Sequence, residues 1–275
     1  MNIRQALTSG AAMLHDYGIR DSHWNAERLL QLALSFERAQ LFAELSTELA
    51  PEQENLYRSL LSRRALHYPL AYLEGVQEFF GREFGVNETV LIPRPETEEI
   101  IRAVHSLTLS RPVILDIGAG SGAIAVTFSY DIQGARIIAL EKSIFAMPVL
   151  KQNSQGRIDI IRGDLYHLPF RNSVFDVVVS NPPYVELSEY EQLPRETRWE
   201  PREALITSNL EQTYETLLLS SERILKSAGF LIFEIGYGQS ERIKALVRRV
   251  QSFNLIEIRA DHQEIPRTFV LQKIA

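Results

Sequence analysis

The chain has 275 residues, 45% of them hydrophobic and 23% charged, with a net charge of −6 and no cysteine. This is enough for one large domain or a medium one with a small companion, and no apolar run reaches the ~20 residues of a membrane span. Lack of cysteine excludes disulfides, zinc–thiolate centres and thiol nucleophiles, and the negative charge argues against a protein built mainly to grip a phosphate backbone.

The opening MNIRQALTSG lacks a basic flank followed by an apolar core, so no signal peptide and a cytoplasmic location are expected. Residues 1–75 read as helices. Ile3, Leu7, Ala11 and Leu14 recur at helical spacing. Asp21 or Ser22 is the expected N-cap of a second helix carrying Trp24, Leu29, Leu30 and Ala33. Residues 37–45 form a shorter candidate, and Pro51 opens another helix with Leu56, Leu60 and Leu61 inward. The expectation is a small bundle over 1–75. Its seven Arg against nine acidic residues, with no Lys before Lys142, suit nucleic acid poorly.

Residues 76–92 change character. Aromatic and β-branched residues around Gly81 and Gly85 predict a hairpin link, with Phe79, Phe80 and Phe84 as its packing. LIPRPETEEIIRAV then starts a helix with Pro95 in the first turn and acids suited to the positive end of its dipole. After Arg111 the pattern alternates. Strands are expected at 113–117, 136–140, 158–161, 174–180, 230–235, 255–259 and 268–272, with helices including 210–226 and 241–250. Such alternation predicts an α/β, Rossmann-like, mostly parallel sheet with helices on both faces, spanning 93–275.

VILDIGAGSGAIAV places Gly118, Gly120 and Gly122, with Ala119 and Ser121 between them, after the first of these strands and before a helix. Glycines there let the backbone turn tightly and approach a ligand. The spacing is G-x-G-x-G, not the pyrophosphate-binding G-x-G-x-x-G, and Asp116 would repel a phosphate. A nucleoside cofactor without phosphates is favoured, and S-adenosylmethionine fits. Glu141 ends the next strand, where a carboxylate can accept from ribose hydroxyls. Asp164 ends the one after it, where it either accepts from an adenine amino group, with Leu165 packing on the ring, or serves as a loop carboxylate.

FDVVVSNPPYVE ends a strand on Asn181 followed by Pro182, Pro183 and Tyr184. Proline pushes the residue before it towards extended geometry, and neither proline donates a backbone hydrogen bond. The stretch therefore presents two fixed acceptors, the Asn181 side-chain oxygen and the Pro182 carbonyl, beside the flat face of Tyr184. Two acceptors on one amide or exocyclic amine favour the pyramidal geometry that such a nitrogen takes on as it attacks. The alternative is a rigid strand-ending turn.

DIGAGSGAIA, NPPY, PRPETEE and EPREAL together resemble the HemK/PrmC family of peptide-chain release factor N5-glutamine methyltransferases, over nearly the whole chain. The resemblance implies a Rossmann-like S-adenosylmethionine-dependent methyltransferase sheet with a substrate-recognising helical bundle and a β-hairpin linker. It places Gly118–Gly122, Glu141, Leu165 and Asn181 on S-adenosylmethionine. It makes Asn181–Tyr184 the clamp for the glutamine of a Gly-Gly-Gln tip on class 1 release factors. Arg94, Glu96 and Thr97 would lie close to methyl transfer, with no separate roles assigned. Glu200 would brace the site loop or pair with Arg198 or Arg202. The family's commoner loop reads Asp-Leu-Gly-Thr-Gly-Ser-Gly, Asp often stands where Glu141 does, and a Gly usual before Arg267 is missing here. A monomer without stable nucleic-acid or membrane binding is expected.

NPPY is shared with enzymes that methylate amino groups of DNA and RNA, which makes a nucleic-acid methyltransferase the first alternative. A nicotinamide dehydrogenase and a non-catalytic binding module follow. The six histidines show no metal-ligand spacing, and no G-x-S-x-G nucleophile elbow occurs.

Overall fold

The computed structural model describes residues 1–274. They form two compact units, one of Met1–Val76 with Pro194–Trp199 and one of residues 77–193 with 200–274.

The first unit carries α1 (Ile3–Asp16), α2 (Ser22–Leu34), α3 (Arg38–Ala43), α4 (Pro51–Ala65) and α5 (Leu70–Glu74). Helix α1 begins at a reciprocal cap: the Asn2 side chain accepts from the Gln5 amide at 2.9 Å, and the Gln5 side chain accepts from the Asn2 amide at 3.0 Å. Its buried stripe is Ile3, Ala6, Gly10, Ala11 and Leu14, whereas the expected Leu7 is only half-buried. Two expected inward residues face out. Trp24 is 53% exposed, being five residues from Leu29 and so across the helix from it. Leu56 is 47% exposed, and Tyr57 takes the core position beside Leu60 and Leu61. The Tyr57 hydroxyl lies 3.2 and 3.3 Å from the carbonyls of Ala6 and Ala26. Only glycine leaves room for it, because a Cβ on Gly10 would stand 2.0 Å from that hydroxyl. Segment 194–199 completes this unit: buried Arg64 pairs with Glu196 at 2.5 Å, and the Trp199 indole donates to the Leu66 carbonyl at 3.3 Å.

From its second residue on, the hairpin of β1 (Val76–Phe79) and β2 (Arg82–Gly85) belongs to the second unit. Phe80 and Gly81 both have positive φ, 51° and 71°, as a tight hairpin turn requires. A 3₁₀ turn at Pro95–Thr97 leads into α6 (Glu98–His105). The alternating region follows as β3 (Val113–Ile117), α7 (Ala123–Asp131), β4 (Arg136–Glu141), α8 (Met147–Ser154), β5 (Asp159–Arg162) and β6 (Phe175–Ser180). Next come the short β7 (Val185–Glu186), α9 (Arg202–Leu205) and β8 (Ile206–Thr207). The chain closes with α10 (Leu210–Ile224), β9 (Leu225–Glu234), α11 (Ser240–Val250), β10 (Phe253–Ala260) and β11 (Pro266–Lys273).

Seven strands form one sheet in the order β10-β11-β9-β6-β3-β4-β5. The five from β9 to β5 are parallel, and β11 runs antiparallel to both its neighbours, so the mostly parallel sheet expected from the alternation is present. Strand β9 starts at Leu225, earlier than the apolar run suggests, because Leu225 pairs with Phe175 across a register shift. Side chains alternate between the two faces. Ile114, Val177, Val179 and Ile232 pack with Ile100, Ile101 and Phe128 of α6 and α7. Leu115, Val178, Leu231 and Phe233 pack with Leu217, Leu218 and Leu246 of α10 and α11. Burial on both faces explains why these strands read as continuous apolar runs.

Candidate active site

The sheet register lines up the strand ends. Ile117 pairs with Leu140 on one side and Ser180 on the other, and Ser180 pairs with Phe233. One residue further on, Glu234, Asn181, Gly118 and Glu141 therefore leave the carboxyl edge level with one another on four adjacent strands. Asp164 follows two residues beyond Arg162, the partner of Glu141 on β5. With strands ~4.8 Å apart, the row from Asn181 to Asp164 spans about 14 Å, the scale of a nucleoside bearing an amino-acid tail. The carboxyl edge is where open α/β sheets bind ligands.

Gly118, Gly120 and Gly122 all have left-handed backbone, with φ of 77°, 56° and 85°. Four amides of this loop are spent internally. Those of Gly118 and Ala119 donate to the Leu140 carbonyl at 2.8 and 3.1 Å, and that of Gly122 donates to the Ala119 carbonyl at 2.8 Å. The Gly120 amide donates to Glu141 Oε2 at 2.7 Å. Amides so committed do not form an anion cradle, which fits a ligand without phosphates. Asp116 is fully buried; its Oδ2 accepts from the Ala125 amide at 3.2 Å, and its Oδ1 has no partner. Burial, reinforced by the Glu141 charge, pushes its carboxyl up to about 7 against the pull of the Ala125 amide. A cationic or N–H group satisfies such an oxygen and a phosphate does not.

Glu141 Oε1 accepts from the Ser143 amide at 2.7 Å, so both its oxygens are oriented by backbone. Asp164 has a partner that sequence reasoning missed: Lys142 Nζ at 2.8 Å, besides the Tyr166 amide at 3.1 Å. Leu165 is partly buried against the α10 side of the core. Asn153 of α8 was also missed. Its amide accepts from Gly85 at 2.8 Å and donates to the carbonyls of Gly85 and Ser121 at 2.9 and 2.8 Å, tying the hairpin to the glycine loop.

At the other end of the row, Ser180 donates to the Ile117 carbonyl at 2.8 Å and joins β6 to β3 just before Asn181. Pro182 is buried, and Asn181, Pro183 and Tyr184 are half-buried. Asn181 Nδ2 donates to Thr97 Oγ1 at 3.1 Å, and Thr97 donates to Glu234 Oε2 at 2.6 Å. The Tyr184 hydroxyl donates to Glu234 Oε1 at 3.1 Å, and Gln239 Nε2 holds the Tyr184 carbonyl at 2.9 Å. The Tyr214 hydroxyl donates to the Glu234 carbonyl at 2.9 Å. Burial pushes the Glu234 carboxyl up to about 7, against the opposing hydrogen bonds from Thr97 and Tyr184. The Tyr184 phenol is also pushed up, by burial and then by the Glu234 charge. Glu234 is absent from the residues singled out in the sequence, although one signal marks it: a lone acid closing the apolar run FLIFE.

The two segments PRPETEE and EPREAL meet. Glu200 Oε2 accepts from the Ile92 amide at 3.0 Å, and its Oε1 forms an ion pair with Arg94. Among the described residues, no group of three potential ligands could hold a metal ion, and no helix is long and apolar enough to cross a membrane.

Residues 5–75 match the family of the PrmC N-terminal domain, and residues 114–198 match a methyltransferase domain family. A release factor glutamine methyltransferase from Moorella thermoacetica is 35% identical over 98% of both chains. One from Geobacter sulfurreducens is 34% identical over 90% of this chain and 88% of its own. The crystal structure of a ribosomal protein L11 methylase from Lactobacillus delbrueckii subsp. bulgaricus shares the fold, with a TM-score of 0.50 and 15% identity, over 72% of this chain and 90% of that one. With relatives this similar over its whole length, the chain belongs to the release factor glutamine methyltransferase family.

Proposed function

We propose that this chain transfers a methyl group from S-adenosylmethionine to the side-chain amide nitrogen of a release factor glutamine, the one in the Gly-Gly-Gln motif of class 1 factors. The observation that carries the reading is the placement of the NPPY stretch: Asn181 leaves the sheet on the strand beside the glycine loop and level with Gly118. In this reading Gly118, Ala119, Gly120, Ser121 and Gly122 pass along the cofactor's amino-acid tail. Glu141 takes the ribose, and Asp164 and Leu165 take the adenine. S-adenosylmethionine supplies a methyl carbon made electrophilic by its sulfonium.

Asn181 Oδ1 and the Pro182 carbonyl accept the two N–H groups of the glutamine amide, with Asn181 also touching the cofactor. Pro183 stiffens the path, and Tyr184 closes one side. The delocalised nitrogen lone pair is nearly unreactive in the ground state. Two fixed acceptors favour its pyramidal form and stabilise the positive charge that develops on the nitrogen as the N–C bond forms and the C–S bond breaks. Holding the nitrogen in line with the methyl carbon removes much of the remaining barrier. The proton becomes acidic only as that bond forms and departs to water, so no strong base is required. The helices of the first unit serve to hold the release factor, and the enzyme works as a cytoplasmic monomer.

Incubation with S-adenosylmethionine and, in parallel, a release factor, DNA and RNA tests the reading. Methyl uptake by the Gly-Gly-Gln glutamine alone is expected, and uptake by nucleic acid alone would replace this reading with the first alternative.

A further inference from the structure

We infer that Thr97 and Glu234 are positioning residues that determine which end of the Asn181 carboxamide faces the substrate. The inference deepens the proposed function and rests on it. Above about pH 7, where Glu234 is ionised, its carboxylate only accepts, so Thr97, 2.6 Å from Glu234 Oε2, gives its single hydroxyl hydrogen to it. The Thr97 oxygen can then only accept from Asn181, and the end of a carboxamide that donates is its nitrogen. Nδ2 is therefore turned to Thr97 and Oδ1 away from it, free to accept an N–H of the substrate amide.

The reversed carboxamide would set two oxygens against each other at Thr97 with no hydrogen between them. It would also present N–H groups to a substrate nitrogen that needs acceptors. Direction is thus transmitted from a carboxylate that touches no substrate to the atom that does. Several features hold the carboxylate in place. It is buried, the Tyr184 hydroxyl occupies Oε1 at 3.1 Å, and the charge of Arg267, itself paired with Asp261 at 2.9 Å, offsets part of the cost that burial sets on its ionised form. Thr97 is brought to the site by the 3₁₀ turn Pro95–Thr97, which gives the PRPETEE segment a specific task.

The test compares Thr97→Val, Thr97→Ser and Glu234→Gln with the unmodified chain. Thr97→Val keeps the shape and loses the relay, and Glu234→Gln can donate to Thr97 and so reverse it. At a pH of about 8, above the Glu234 titration, both are expected to lower kcat for release factor methylation by about 30-fold or more while KM for the methyl donor changes by less than about 3-fold. Thr97→Ser restores kcat to within about 3-fold, which a purely packing role for the threonine would not produce. Thr97→Val with near-normal kcat, or Thr97→Ser as impaired as Thr97→Val, overturns the inference. Should Thr97→Val fold poorly, the isosteric Glu234→Gln decides on the same criterion. A second readout needs no turnover: in the 15N-labelled free protein one Asn181 Nδ2 proton is shifted downfield and exchanges slowly, and this signature disappears in Thr97→Val. An unmodified chain that shows the signature yet leaves release factors unmethylated defeats the proposed function but not the orientation. An Asn181 signal unchanged by Thr97→Val defeats the orientation.

Discussion

Glu200 is the counter-ion of Arg94, 106 residues away in sequence, and the same carboxylate accepts the Ile92 amide. One buried side chain thus fixes the strand-to-turn passage that delivers Thr97. Replacing Glu200 by Ala removes the acceptor of a buried amide along with a charge partner. Because Arg94 is partly exposed, the expected loss is about 1–3 kcal/mol of unfolding free energy in urea, well short of that for a fully buried pair. Methyl transfer should fall as well, since Thr97 loses its setting. Unchanged stability and turnover would show that the ion pair does not organise this segment.

The helical unit has its own test. A Cβ at position 10 meets the Tyr57 hydroxyl at 2.0 Å, and that hydroxyl is already held between two carbonyls. Gly10→Ala should destabilise this unit by about 1–3 kcal/mol, despite alanine's better helix propensity, through overpacking. Calorimetry of the whole chain checks it, and an unchanged or raised transition temperature would contradict it.

Two buried carboxyls predict a pH dependence of stability. Asp116 and Glu234 titrate near 7 in the folded chain, above their ordinary values of 3.8 and 4.5, chiefly because of burial. Around Asp116 stand Glu141 and the Ala125 amide, and around Glu234 stand Thr97, Tyr184, Arg267 and Glu96. Between pH 4 and 7 the folded state keeps protons that the unfolded chain has released, so these groups cost stability progressively as pH rises and no further above about 7. Each contributes up to a few kcal/mol across that window. Denaturant titrations of Asp116→Asn against the unmodified chain should show the variant gaining relative stability from pH 4 to 7. A difference independent of pH would contradict the burial argument.

Glu141 is held by two backbone amides, so its geometry exists before any ligand arrives. Glu141→Gln leaves one of those amides facing an NH₂ group and removes the ribose acceptor. Calorimetric titration should show S-adenosylmethionine binding weakened about 10-fold or more. Unaltered affinity would take Glu141 out of the cofactor site.

The parallel sheet was legible because both its faces are covered. Runs such as VILDI and FDVVVS can bury nearly every side chain only in that setting, and α10 and α11 carry clear apolar stripes. The glycine loop and the NPPY stretch were legible because proline and glycine constrain backbone whatever surrounds them. Glu234 was not, since its meaning lies in partners 137 and 50 residues distant, Thr97 and Tyr184, that only the sheet register assembles. The Lys142 partner of Asp164 was hidden for the same reason, as it sits on a neighbouring strand's end. Trp24 and Leu56 show the limit of periodicity. Their hydrophobicity suggested burial, but Leu29 and Tyr57 hold the inward positions. The packing of residues 194–199 with the first helices, through Arg64 and Leu66, likewise leaves no local trace in the sequence.

The most direct measurement is peptide mass mapping of a release factor incubated with S-adenosylmethionine and either the unmodified chain or Asn181→Ala. One added methyl group, on the Gly-Gly-Gln glutamine, is expected with the unmodified chain, and a rate lower by about 100-fold or more with the variant. Equal methylation by the two proteins would remove the paired-acceptor mechanism.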